Sequence, residues 1–130
     1  MGHIYAKATF YDPIEYIEYI QGKRELRSVR RVDLEALVDT GATFPALAEN
    51  LVENLGLPII GEGEAEVAAG KEKVSLVAGV TQIEDRSAMS YVMVRPKGMT
   101  PLIGVVALEQ MGFKVDPTTG KLIKRLPLML

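Results

Sequence analysis

The chain contains no cysteine and a single histidine. The first absence excludes disulfides, thiol nucleophiles, zinc thiolates and iron–sulfur clusters in one step, and it fits a reducing cytosol. The second leaves His3 as the only base on which a Ser-His-Asp triad could be built. A chain terminus is a poor place to hold a rigid base, so His3 reads as a partly exposed terminal residue. Charge of one sign is also missing: 15 basic against 17 acidic residues leave a net charge of −2. That balance gives no electrostatic footprint for nucleic acid and no polybasic membrane signal. Long apolar runs are lacking too. "MGHIYAKATFYDP" has none of signal-peptide length and carries Ala6 where a myristoylation signal wants Ser or Thr. "PLIGVVALEQMGF" is too short to cross a bilayer and includes Glu109. Carboxylates are scattered, and no segment presents His or Glu at metal-ligand spacing. The expectation is a soluble, cytoplasmic protein with no cofactor, no metal, and neither nucleic acid nor membrane as a partner.

What is present is an ordinary globular composition, 48% hydrophobic and 25% charged over 130 residues. It fits one domain spanning residues 1–130, large enough to bury roughly two-thirds of its unfolded surface. Residues 3–10 read as a strand that Asp12-Pro13 breaks. Residues 14–20, "IEYIEYI", are ambiguous: their period is three, but their residue types favour strand. A turn at Gly22-Lys23 follows. Residues 25–39 read mostly as strand, with Val32, Leu34, Ala36 and Val38 on one face. The basic run Lys23, Arg24, Arg27, Arg30 and Arg31, interspersed with Glu25 and Asp33, reads as a solvated face rather than an anion site. A helix is expected over 45–55, with Pro45 in its first turn, Leu47, Leu51, Val52 and Leu55 as its apolar stripe and Gly56 as its C-terminal cap. Residues 59–95 form a run of strands, including a hairpin with its tip at Ala68-Ala69-Gly70. "VVALEQMG" predicts a second short helix capped by Gly112, and "FKVDPTTGKLIKRL" a strand, a turn and a strand. The apolar tail "LPLML" is expected to be buried, either in its own core or, as favoured here, at an interface between subunits.

The stretch that bears chemistry is "EALVDTGATF", residues 35–44. Three apolar residues run straight into Asp39, Thr40 and Gly41. Asp-Thr-Gly is by itself compatible with a simple turn, in which Asp and Thr accept backbone amides and Gly supplies conformational freedom. The context suggests more, because an ionised carboxylate rarely ends a buried strand without a reason. Asp39 can be half of a carboxylate pair. Two carboxylates in contact cannot both ionise cheaply, so they share one proton. The ionised member can take a proton from water while the protonated member hydrogen-bonds the carbonyl under attack. Such chemistry needs no metal, thiol or histidine. Asp12, Asp33, Asp85 and Asp116 lack the pattern, so the second carboxylate must come from a second copy of the chain, on a two-fold axis.

With "EALVDTGAT" at 35–43, the triplet "LIG" at 102–104 ahead of a short helix, and the closing "FKVDPTTGKL" at 113–122, the sequence resembles the retropepsin-like aspartic proteases, in particular their prokaryotic members, from about residue 26 onward. The resemblance implies a mostly β acid-protease fold, a closed β-barrel with one or two short helices, and an active site at a homodimer two-fold axis. It implies an aspartic endopeptidase acting on peptide or protein substrates. Asp39 would be the catalytic carboxylate. Thr40 would hydrogen-bond across the axis, Gly41 would allow close backbone approach, and Ala42 would line the site. Ala68, Ala69, Gly70 and Lys71 would form a flap that closes on substrate, and Leu102, Ile103 and Gly104 would pack beneath the active-site loop. Thr43, Phe44 and Pro45 stand where viral members often carry further acidic residues. Val105 and Val106 stand where an arginine is usual at the start of the second helix; both departures leave the catalytic aspartate in place, and neither viral-type substrate contacts nor viral-type dimer salt bridges are implied for this chain. The alternative is a non-catalytic peptide-binding or dimerisation module on the same fold; an unrelated β protein whose Asp-Thr-Gly is a plain turn is the third reading.

Overall fold

Asp12 decides the ambiguous segment. In the computed structural model, which describes residues 3–125, its carboxylate accepts the Glu15 N–H at 2.8 Å, and Pro13 occupies the first helical position. An Asp cap followed by Pro satisfies one orphan amide and removes another. Residues Pro13–Ile20 are therefore a helix, α1, despite their β-favouring side chains. It follows strand β1, Tyr5–Tyr11. A 3-10 turn at Leu26–Ser28 then takes up the start of the segment read as one long strand, and β2 runs Arg31–Val38. Along β2 the burial alternates as expected, with Ala36 and Val38 buried and Asp33 and Glu35 exposed.

The expected helix over 45–55 starts late. Ala46–Ala48 are a strand, β3, and the helix α2 occupies only Glu49–Leu55. Tertiary pairing overrides local preference here: β3 lies parallel to residues 93–95, and the Met93 N–H donates to Pro45 O at 2.8 Å. Leu47, placed on the helical stripe by its spacing, is instead a fully buried strand residue. Gly56 caps α2 as expected, with a positive φ of 67°.

The rest follows the pattern closely. β4 (Ile59–Val67) and β5 (Gly70–Ile83) form the hairpin through Ala68-Ala69, and β6 (Arg86–Arg95) returns along β5. Leu102–Ile103 form a short strand, β7, ahead of helix α3, Val105–Met111, which Gly112 caps. β8 (Phe113–Val115) and β9 (Leu122–Lys124) make a small separate hairpin. The tail expected to be buried, residues 126–130, lies outside the described residues. Among the described residues there are three helices rather than one or two, and no helix is long and apolar enough to cross a membrane.

The protein is mostly β, but the closed barrel is not what forms. The seven-stranded mixed sheet runs β1-β2-β7-β3-β6-β5-β4. Its middle is held by very short strands: β3 meets β7 through one residue pair, and β7 meets β2 through two. β1 pairs again with β5, over Thr9–Tyr11 only, so the sheet curls back on itself. β4 pairs only with β5 among the described residues and keeps an outer edge. The core fills the curl with Phe10, Leu47, Val77, Val92 and Ile103, each nearly or fully buried, and α2 and α3 close it with Val52, Leu55, Ala107 and Leu108. A second small cluster, Tyr11, Val29 and Val80 with Tyr16, seats α1.

Candidate functional site

β2 delivers Asp39 from between two neighbours. On one side Val38 N–H donates to Ile4 O at 2.8 Å; on the other, Leu37 N–H donates to Pro101 O at 2.9 Å. Val38 lies beside Ile103 in the parallel β2–β7 pair, and the Asp39 N–H donates to Ile103 O at 3.0 Å. The backbone of Asp39 is thus anchored by an interior strand although its side chain is only half-buried.

Beyond that anchor the chain turns on its own carboxylate. Asp39 Oδ1 accepts the Gly41 N–H at 2.9 Å, and the Ala42 N–H donates to Asp39 O at 3.1 Å. This is an Asx-type turn, and it fixes the carboxylate relative to the backbone. Thr40 and Gly41 are exposed at its apex, and Ala42 is half-buried. The loop is held from below by α3. Helix amides have no intrahelical partner in the first turn. Here the loop supplies acceptors: Val105 N–H donates to Ala42 O at 2.8 Å and Val106 N–H to Thr43 O at 3.0 Å. Gly104 makes the approach possible. A Cβ there would stand 2.5 Å from Phe44 C and 2.7 Å from Thr43 C, which no side chain tolerates. Leu102, Ile103 and Gly104 therefore lie beneath the Asp-Thr-Gly loop, the place the resemblance implies for them.

The other four aspartates are engaged elsewhere. Asp12 caps α1, Asp33 accepts the Thr9 hydroxyl at 2.6 Å, and Asp85 meets Lys124 Nζ at 2.9 Å. Asp116 accepts the Thr118 N–H and the Thr119 hydroxyl in the β8–β9 turn, and those two bonds hold its carboxyl below the usual carboxylate range. Among the described residues no cation lies within ion-pair distance of Asp39, and no group of three or more His, Asp or Glu is arranged to hold a metal ion.

A cavity of about 400 Å³ opens beside the loop. Gly41, Ala42, Thr43 and Phe44 form one wall, β4 residues Gly63–Glu66 the opposite one, and Val74, Leu76 and Met93 the floor. Phe44 is propped by the ring of Tyr91, edge-on at 5.4 Å. The hairpin thus does face the Asp-Thr-Gly loop. Its tip does not reach the cavity wall: Ala68, Ala69, Gly70 and Lys71 are exposed beyond it. The residues that reasoning from sequence missed are Gly63, Ala65, Val74 and Leu76. The alternation Gly-Glu-Gly-Glu-Ala-Glu over 61–66 does put small residues on one face of the strand and acids on the other, but it does not mark a cavity.

A larger groove, about 560 Å³, lies across the β1–β2 face. Two of its charges are already engaged: Arg31 sits over the Tyr11 ring and donates to Val29 O and Leu26 O, and Asp33 accepts the Thr9 hydroxyl. It brings no chemistry-bearing group to Asp39. The basic run behaves as expected of a solvated face, with Arg24 on Glu15 and Glu18, Arg27 on Glu25, and Arg30 on Asp12 and Glu15. No protein-family model matches the chain, and a search of curated proteins finds no match either.

Proposed function

We propose that the chain is an aspartic endopeptidase of retropepsin-like type, working in the cytoplasm as a homodimer with one Asp39 from each copy at the two-fold axis. The observation that carries this reading is the mounting of Asp39. An interior strand anchors its backbone, a rigid Asx turn orients its carboxylate, a hairpin-walled cavity adjoins it, and every other aspartate of the chain has separate work. A turn aspartate with no further role needs none of this support from β7 and α3.

In the proposed reaction the two Asp39 carboxylates share one proton. The ionised carboxylate takes a proton from a water held between them, and the water oxygen attacks the peptide carbonyl carbon. The protonated carboxyl hydrogen-bonds the carbonyl oxygen and delivers its proton as the tetrahedral diol forms. Return of a proton to the amide nitrogen then breaks the C–N bond, leaving a carboxylic acid and an amine. Thr40, exposed at the apex, would bond across the axis, and Gly41 and Ala42 would border the substrate backbone. Ala68–Lys71 would close over it and exclude water.

The test is digestion of a diverse peptide mixture by the purified protein between about pH 4 and 7, the range in which a coupled carboxylate pair can hold one proton. Asp39→Asn, verified as folded and of the same mass in solution, runs beside it. Cleavage by the wild type and loss of at least about 10³-fold in the variant is expected. Equal cleavage by both proteins, or a wild type that is monomeric and inert, would overturn the reading; a dimer that binds peptides without cutting them would replace it with a peptide-binding module.

A further inference from the structure

The wall that β4 gives to the cavity differs in kind from the one β5 gives. β5 contributes Val74 and Leu76, alternate residues and hence one face of the strand. β4 contributes four consecutive residues, Gly63 to Glu66, from both faces. The cavity thus runs along the β4 backbone, and β4 keeps an outer edge opposite the one that meets β5. Nothing among the described residues pairs with that edge, where every second residue turns its N–H and C=O outward.

The two faces of β4 are chemically opposite. Gly61, Gly63 and Ala65 are small and half-buried toward Leu76 and Val74; a Cβ on Gly63 would sit 3.7 Å from Leu76 Cδ1, with the cavity open beyond. Glu62, Glu64 and Glu66 are exposed on the other face. Across β5 they face Ser75, Lys73 and Lys71, and none of the three has a lysine or arginine within ion-pair distance among the described residues. Three acids against two lysines leave that side of the edge acidic.

We infer that β4 takes an extended peptide as an added strand and selects one in which large apolar and basic residues alternate. The strand period makes this a single requirement. A residue of the added strand that inserts an apolar side chain against Phe44, Leu76 and Met93 forces its neighbours to the opposite face, beside Glu62, Glu64 and Glu66. The inference names the substrate class for the proposed protease, and rests on that reading only for cleavage; the binding stands on the edge and its two faces.

The test uses the full-length Asp39→Asn protein, which holds peptides without cutting them, and labelled ten-residue peptides alternating Leu with Lys, Gln or Glu, followed by fluorescence anisotropy. Two opposite-charge cross-strand pairs predict binding of Leu/Lys over Leu/Gln by roughly two- to thirtyfold at low salt, with Leu/Glu weakest and the differences shrinking at about 0.5 M salt. Adding Glu62→Gln, Glu64→Gln and Glu66→Gln should erase the preference for Lys, and the corresponding lysine substitutions should reverse it. Gly63→Val, which needs no unusual φ and fills the cavity, should weaken all three peptides while thermal melting shows an intact fold. Equal binding of the three peptides, a Lys preference that survives the triple Gln change, or a β4 edge already taken by a second copy, seen as a dimer that Glu64→Pro dissociates, would overturn the inference. The two readings fail separately. Wild-type cleavage without charge preference refutes only the β4 assignment; Glu-dependent binding by a protein that cuts nothing refutes only the protease.

Discussion

Gly104→Ala is the sharpest probe of how the Asp39 loop is held. The backbone at Gly104 has φ −85° and ψ 171°, which any residue adopts, so alanine carries no conformational penalty there. The penalty is steric. The new Cβ would lie 2.5 Å from Phe44 C and 2.6 Å from Phe44 O. Carbon atoms rest at about 3.5–4.0 Å, so roughly 1 Å of backbone movement is needed. Both contacts are main chain, and no side-chain rotation relieves them. The movement would also stretch the Val105–Ala42 and Val106–Thr43 hydrogen bonds. Overpacking plus two weakened bonds comes to about 2–4 kcal/mol. For a domain of this size that is a fall in Tm of about 6–16 °C. Gly98→Ala is the control: its φ of +86° costs about 1 kcal/mol, but a Cβ there meets nothing. Thermal melting with amide chemical shifts of Ala42–Phe44 decides the matter. If Gly104→Ala melts no lower than Gly98→Ala and the loop amides do not move, the loop is not seated on β7 and α3 as described.

Three further outcomes follow from particular contacts. Asp12→Ala removes the cap of α1, a carboxylate only 2% exposed that also lies 3.6 Å from Arg30 Nη2; a loss of about 1–2 kcal/mol in urea unfolding is expected, with Asp12→Asn recovering most of it. The Glu15 carboxyl is held below the usual glutamate range, chiefly by the Arg30 N–H and further by the Arg30 and Arg24 guanidinium groups. A carboxyl lowered on folding contributes stability that is complete above its unfolded value, about 4.3, and is lost as pH falls through the folded one. Glu15→Gln should therefore flatten the acid limb of stability below about pH 5, and an unchanged limb would show that the contacts with Arg30 are not made. Thr81 is fully buried, and its hydroxyl has no hydrogen-bond partner among the described residues; Thr81→Val should raise stability by about 1 kcal/mol, and a loss would reveal a partner for that hydroxyl.

The parts of this fold that could be read from sequence are those decided locally. Gly56 and Gly112 end their helices because left-handed residues are needed there, and the Ala68-Ala69 hairpin is announced by the strand patterns on either side. The misreadings come where distant pairing decides. Leu47 has helical spacing to Leu51 and Leu55, yet β6 recruits Ala46–Ala48 into the sheet. Barrel closure was likewise a global property, which strands of two and three residues at the sheet's centre do not supply.

The site divides along the same line, and the division bears on mechanism. Asp39 and Gly41 were legible from their place at the end of a strand, and Gly104 only through the resemblance; the structure gives each a geometric reason, a carboxylate that accepts its own loop's amide and two glycines at close approaches. Gly63 and Ala65 were not, since a small residue in a strand has no signature until the volume it leaves open is seen against Phe44 and Met93. The hairpin tip, by contrast, was legible in sequence but lies outside the cavity. On the proposed reading, rigidity and selectivity are carried by different parts of the chain. The Asp-Thr-Gly loop, with hydrogen bonds to β7 and α3 beneath it, is built to stay fixed. The outer strand of the hairpin, hydrogen-bonded on one edge and poor in side-chain volume, is the part left to accept a partner. Substitutions in the loop should therefore change stability and rate together, whereas those along β4 should change which peptide is bound at nearly constant stability.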